Sequence, residues 1–162
     1  MFEKILVPLD GSEHASHAFE KAIQIARKFD GKITVLHAYT THLVSLPKEY
    51  ALPEAVPRIV DVSLPKEYAL PEAAPRIVDF PYETGLSILE KASDKAGAEG
   101  IQIETMLTMG NPTEKIVEAS TNGKFDLIVI GARGLSPVKE LLLGSVSHGV
   151  ATHAKCPVLI VK

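Results

Sequence analysis

The chain has 162 residues, 46% hydrophobic and 23% charged, with a formal net charge of −3. That is enough apolar material for one domain with a core, and the charge balance lacks the basic footprint of a nucleic-acid binder. One cysteine, Cys156, excludes an intrachain disulfide, and no apolar run approaches the roughly 18 residues that cross a bilayer.

Met1-Phe2-Glu3-Lys4 leads into an apolar strand rather than a signal peptide, so the expectation is a single cytoplasmic domain away from membranes. Ile5-Leu6-Val7 is short, apolar and branched, and reads as a strand buried on both faces. It stops at Pro8-Leu9-Asp10-Gly11-Ser12, where Ser12 suits a helix N-cap. Ala15, Phe19, Ala22, Ile23 and Ala26 mark one face of an amphipathic helix that ends near Asp30-Gly31. Residues 33–38 read as a second strand. Strand, helix and strand make a βαβ unit with a right-handed crossover.

Residues 44–61 are followed at once by the same eighteen residues at 62–79, with Val56 replaced by Ala74. Three prolines per copy exclude a long helix, and two copies do not make a solenoid. The expectation is a duplication within a tolerant surface loop. A lid over a ligand, or an arm that grips a partner, is the alternative.

After Pro81, the residues Gly85, Leu89, Ala92 and Ala96 share a helix face, closed by Gly97 and Gly100. Ile101, Ile103 and Met106 fall in a third strand whose partial alternation suits a sheet edge. Gly110-Asn111-Pro112-Thr113-Glu114 reads as a helix start, with Asn111 as N-cap, Pro112 at N1 and Glu114 as capping-box partner. That helix should bury Ile116, Val117 and Ser120 and end at Asn122-Gly123. Residues 125–130 read as a fourth strand. Val146, Val150, His153 and Ala154 are spaced for one face of a fourth helix, and residues 156–161 form a fifth strand. Five strands alternating with four helices predict a Rossmann-like, doubly wound parallel α/β sheet.

The most informative stretch is Gly131-Ala132-Arg133-Gly134, nine residues, then Gly144-Ser145-Val146. It runs from a buried strand through a small-residue loop to a helix N-terminus. Ligands bind outside the carboxyl ends of such strands, and a helix N-terminus offers free N–H groups and a positive dipole end to a phosphate. Glycine lets the backbone come close to a ligand, and Ser145 could cap the helix or bond a phosphate oxygen. No Gly-Lys-Ser/Thr ends the loop, and it is not Gly-x-Gly-x-x-Gly. Asp10 stands on the same sheet edge, suited to accept from a base or ribose, to contact a metal, or to cap the first helix.

Other candidates read as structural. His14 and His17 lie one turn apart, but no carboxylate or cysteine cluster accompanies them, so exposed helix positions are expected. Ser145, Ser147 and His148 lack the Gly-x-Ser-x-Gly elbow of a hydrolase. His37 reads as a core or rim residue, and Cys156 as a small buried hydrophobe. Arg133 is expected to face solvent, within reach of a phosphate. No residue pair stands out as catalytic or as a protein metal site.

Three stretches together resemble the universal stress protein (UspA-like) family: Ile5 to Ser12, the Gly110-Asn111-Pro112 corner, and Gly131-x2-Gly134-x9-Gly144-Ser145. The last is similar to the signature of the family's ATP-binding branch. The resemblance covers the chain apart from the duplicated loop. It implies a sheet in the order 3-2-1-4-5 and a homodimer along the fifth strand, at Val158, Leu159, Ile160 and Val161. It implies an adenine near Pro8, Leu9, Asp10, Ala38 and Ile130. Ribose and phosphates would lie on Gly131, Arg133, Gly134, Gly144, Ser145 and Val146. The ligand would be ATP, or ADP or AMP, with Mg or Mn on the phosphates. Ala38 departs from the larger aliphatic residue common there, which would loosen the adenine contact. The function implied is a regulatory stress-response module with slow or absent hydrolysis. A nucleotide-hydrolysing or adenylating enzyme on the same fold is the alternative, with Asp10, Arg133 and Ser145 as its candidate groups.

Overall fold

The computed structural model describes residues 2–40, 81–135 and 143–162. The duplicated segment 44–79 lies outside the described residues, as does the expectation of a tolerant loop or lid placed on it. The described elements are β1 (Lys4–Pro8), α1 (Glu13–Phe29), β2 (Lys32–Tyr39), α2 (Pro81–Ala98), β3 (Ile103–Met109), α3 (Pro112–Asn122), β4 (Leu127–Gly131), α4 (Ser145–His153) and β5 (Val158–Val161).

The five strands are all parallel, in the order β3-β2-β1-β4-β5. Alternation along the central strands sends successive side chains to opposite faces. Ile5, Val7, Ile33, Val35, Leu127 and Val129 meet Ala15, Phe19, Ala22, Ile23 and Ala26 of α1 and Leu89, Ala92 and Ala96 of α2. Leu6, Leu36, Ile128 and Ile130 point the other way, onto Ile116 of α3 and Val150 of α4. Two apolar faces per strand explain why β1 and β4 read as unbroken apolar runs.

The helix ends follow local chemistry. Ser12 caps α1, its Oγ accepting from Ala15 N–H at 3.2 Å, and Asp30 closes it in the left-handed region at φ 53°. Asn111 Oδ1 accepts from Glu114 N–H at 3.2 Å, with Pro112 in the first turn of α3. Several expected boundaries and faces shift. β3 starts at Ile103 and runs to Met109, in register with β2 as far as Tyr39. β4 starts at Leu127, because Asp126 Oδ2 accepts from the N–H groups of Glu3 and Lys4 at 2.9 and 3.1 Å. β5 starts at Val158, after the bend at Lys155-Cys156 and Pro157. Val117 is half-buried, and His153 is exposed on the last turn of the nine-residue α4. His153 Nδ1 lies 2.8 Å from Gly149 O instead of facing the core. No described helix is long and apolar enough to cross a membrane.

Candidate functional site

The strand order reverses between β1 and β4, and their carboxyl ends lie side by side. A crevice opens there in a doubly wound sheet. Here it is a cavity of about 250 Å³. All eleven residues singled out in the sequence line it: Pro8, Leu9, Asp10, Ala38, Ile130, Gly131, Arg133, Gly134, Gly144, Ser145 and Val146. The structure adds Ala15, Leu36, Pro112, Ile116, Leu135 and Ser147. Pro8, Leu36, Ala38, Pro112, Ile116 and Ile130 supply an apolar lining suited to a planar base. Asp10, Arg133, Ser145 and Ser147 supply the polar side chains among the described residues.

The two loops that frame the cavity are clasped together. Asp10 Oδ1 accepts from Ser12 N–H at 2.9 Å, and Ser12 Oγ donates to Arg133 O at 3.4 Å. Gly144 N–H donates to Ala132 O at 2.7 Å. The buried Ser147 Oγ lies 2.8 Å from that same Ala132 O and 2.9 Å from Gly144 O. These bonds join the two halves of the glycine motif across the nine intervening residues.

The three glycines of the motif are small for three different reasons. A Cβ on Gly131 would stand 2.7 Å from His14 C and 2.8 Å from Ala15 N, inside the backbone of α1. A Cβ on Gly134 would stand 2.5 Å from Asp10 Oδ2. Among the described residues, a Cβ on Gly144 would meet nothing nearer than 3.4 Å, an ordinary contact. Gly144 is also at φ −72°, which any residue adopts. So the backbone of α1 demands glycine at 131, a side chain at 134 would have to displace the Asp10 carboxylate, and the described residues make no demand at 144.

Ser145 does not cap α4. The helix already begins at Ser145, and the cap position falls on Gly144, which has no side chain to give. The first N–H groups of a helix have no intrahelical carbonyl, so α4 presents Ser145 and Val146 N–H on the cavity wall with no side-chain cap among the described residues. The other candidates separate. His17 is exposed, and His14 Nδ1 is buried with no partner among the described residues. No group of three or more His, Cys, Asp or Glu among the described residues could hold a metal ion. His37 is buried, with Nδ1 2.7 Å from Leu9 O. Ser147 is tied into the clasp.

A parallel sheet in this order, with its cavity at the switch point, places the chain among the doubly wound α/β proteins. The family model described as the universal stress protein family matches residues 1–162, and the chain belongs to that family. The universal stress protein YxiE of Bacillus subtilis is 33% identical over 100% of both chains. UspA from Lactobacillus plantarum superposes with a TM-score of 0.73 at 21% identity, covering 99% of this chain and 98% of its own. A universal stress protein solved in complex with cAMP is 30% identical, with a TM-score of 0.66 over 99% of this chain and 97% of its own. A family protein from Arabidopsis thaliana with AMP bound has a TM-score of 0.66 at 24% identity, covering 99% and 91%.

Proposed function

We propose that the chain is a cytoplasmic, ATP-binding universal stress protein that acts as a regulatory module and turns ATP over slowly or not at all. The observation that carries this reading is Gly144. It is a glycine the described residues do not require, at the N-terminus of α4, beside Ser145 and Val146. A phosphate suits such a place: it takes the free N–H groups, and it needs the backbone to come close. The cAMP complex of a relative 30% identical supports an adenine nucleotide in this family.

The residues fit the ligand as follows. Pro8, Ala38 and Ile130 would flank the adenine, with Pro112 and Ile116 closing the apolar side. Leu9 and Asp10 would face the base or ribose. Gly131, Arg133, Gly134, Gly144, Ser145 and Val146 would hold ribose and phosphates, Arg133 by charge. AMP and ADP share this chemistry. A Mg or Mn ion would be held mainly by the phosphates, with Asp10 the one carboxylate among the described lining residues. Hydrolysis needs a group poised at the γ-phosphate. Among the described residues, no lysine, histidine or glutamate lines the cavity, and Arg133 is the one cation. A homodimer through Val158 to Val161 of the edge strand β5 completes the proposal.

The test is calorimetric titration with ATP. Gly144→Val should abolish stoichiometric binding while leaving the circular dichroism spectrum unchanged; unchanged affinity would remove the proposed cradle. An enzyme would instead show turnover that Asp10→Asn lowers without weakening binding.

A further inference from the structure

The cavity wall at Leu9 is held from behind. Leu9 N–H donates to Leu36 O at 2.8 Å, and Leu9 O lies 2.7 Å from His37 Nδ1. A carbonyl oxygen only accepts, so His37 carries a proton on Nδ1. Consecutive residues of β2 therefore fix both polar backbone atoms of Leu9. Leu9 and Asp10 line the cavity, whereas His37 does not. On the other side of the imidazole lies α2. A Cβ on Gly85 would stand 2.6 Å from His37 Cδ2 and 2.7 Å from Leu107 Cδ1. Only glycine lets α2 close over this ring.

We infer that His37 is a positioning residue for the cavity, and that α2 acts on the Leu9–Asp10 wall through it. The inference rests on the nucleotide reading of the cavity. The path is short and packed. Gly85 bears on the imidazole, the imidazole holds the Leu9 carbonyl, and the next residue, Asp10, holds Ser12 N–H at the start of α1. A shift of the first turns of α2 moves the ring, and with it the wall against which the base and ribose would lie. Well-packed contacts of this kind pass displacement on because they have no slack. Gly85 does not line the cavity, so an effect of Gly85 on binding has no direct route.

The experiment compares ATP binding by calorimetry in the full chain and in His37→Leu, His37→Asn and Gly85→Ala. The asparagine amide keeps a donor close to the place of Nδ1, and leucine keeps bulk without a donor. His37→Leu and Gly85→Ala should each weaken binding by about tenfold, the scale of one misplaced or lost hydrogen bond. His37→Asn should stay within about threefold of the unaltered chain. A folded His37→Leu with unchanged affinity overturns the inference, as does His37→Asn that binds as weakly as His37→Leu. If His37→Leu does not fold, Gly85→Ala decides, and unchanged affinity there overturns it. A ligand-free arm separates the two readings. The ¹⁵N spectrum should place the His37 proton on Nδ1, and the Asp10 and Gly134 amides should shift in Gly85→Ala. Those results with no ATP binding by the unaltered chain would remove the nucleotide reading and leave the tether standing. Unshifted amides would remove the tether.

Discussion

The glycine motif divides at the scale of single residues. Gly131→Ala drives a Cβ into the backbone of α1, which cannot yield as a flexible side chain would. It should cost about 1–3 kcal/mol of stability, the usual scale of overpacking, read by urea unfolding. Gly144→Ser should do the opposite. The backbone there, at φ −72° and ψ 159°, is already that of a good N-cap. A serine hydroxyl would satisfy a free N–H of α4 and raise stability by a few tenths of a kcal/mol, about the gap between glycine and serine caps. The same hydroxyl would compete with the phosphate, so ATP affinity should fall. A variant that gains both stability and affinity would contradict the phosphate reading. Ser147→Ala removes the hydroxyl that bridges Ala132 O and Gly144 O, and should cost about 1–2 kcal/mol. Ser147 was not legible as part of the site: it was weighed as a hydrolase serine and set aside for want of the Gly-x-Ser-x-Gly elbow. Its signal was its place three residues after Gly144, where a hydroxyl reaches back to the preceding turn.

At the scale of elements, burial pushes the Cys156 thiol above its ordinary value of 9.0, and Asp126 adds to the shift. The neutral thiol is therefore favoured in the folded chain. Its contribution is complete below the unfolded value and is lost as pH rises through the higher folded one. The segment leading into β5 should loosen on the alkaline side, above about pH 9, and Cys156→Ala should flatten that slope in unfolding measured against pH. Alkylation at about pH 8 should run slower than for a free cysteine.

The helices α1 and α2 were legible almost residue by residue, because Ala15, Phe19, Ala22, Ile23 and Ala26, then Gly85, Leu89, Ala92 and Ala96, keep a helical period. The extension of β3 to Met109 was not, because Thr105 and Thr108 are polar and only pairing with β2 makes the strand. His153 was misplaced because a nine-residue helix ends before its period completes a second buried turn. Pro112 and Ile116 reach the cavity from α3, about seventy residues beyond β2 in sequence. No local pattern carries such a meeting. The Gly110-Asn111-Pro112 corner signalled the start of α3 but not what its first turn would face.

At the scale of the whole molecule, β5 is a sheet edge, and Leu159 on it is 39% exposed. An apolar edge strand left open invites pairing with a second copy. Leu159→Lys should convert the proposed dimer to a species of 17.5 kDa in light scattering, and a dimer that persists would move the interface elsewhere. Lengthening a surface loop costs little closure entropy. The expectation of a tolerant loop at 44–79 therefore predicts that deleting the second copy, residues 62–79, leaves the melting temperature within about 2 °C, the shift expected for a few tenths of a kcal/mol, and a larger fall would contradict it. The central claim is that the cavity at the β1–β4 switch point holds an adenine nucleotide, and the most direct test is to denature freshly purified protein and identify by mass spectrometry what it releases. ATP at close to one per chain is the result expected. No adenine compound released, together with no rise in melting temperature on adding millimolar ATP, would contradict the claim, since a ligand that prefers the folded state must stabilise it.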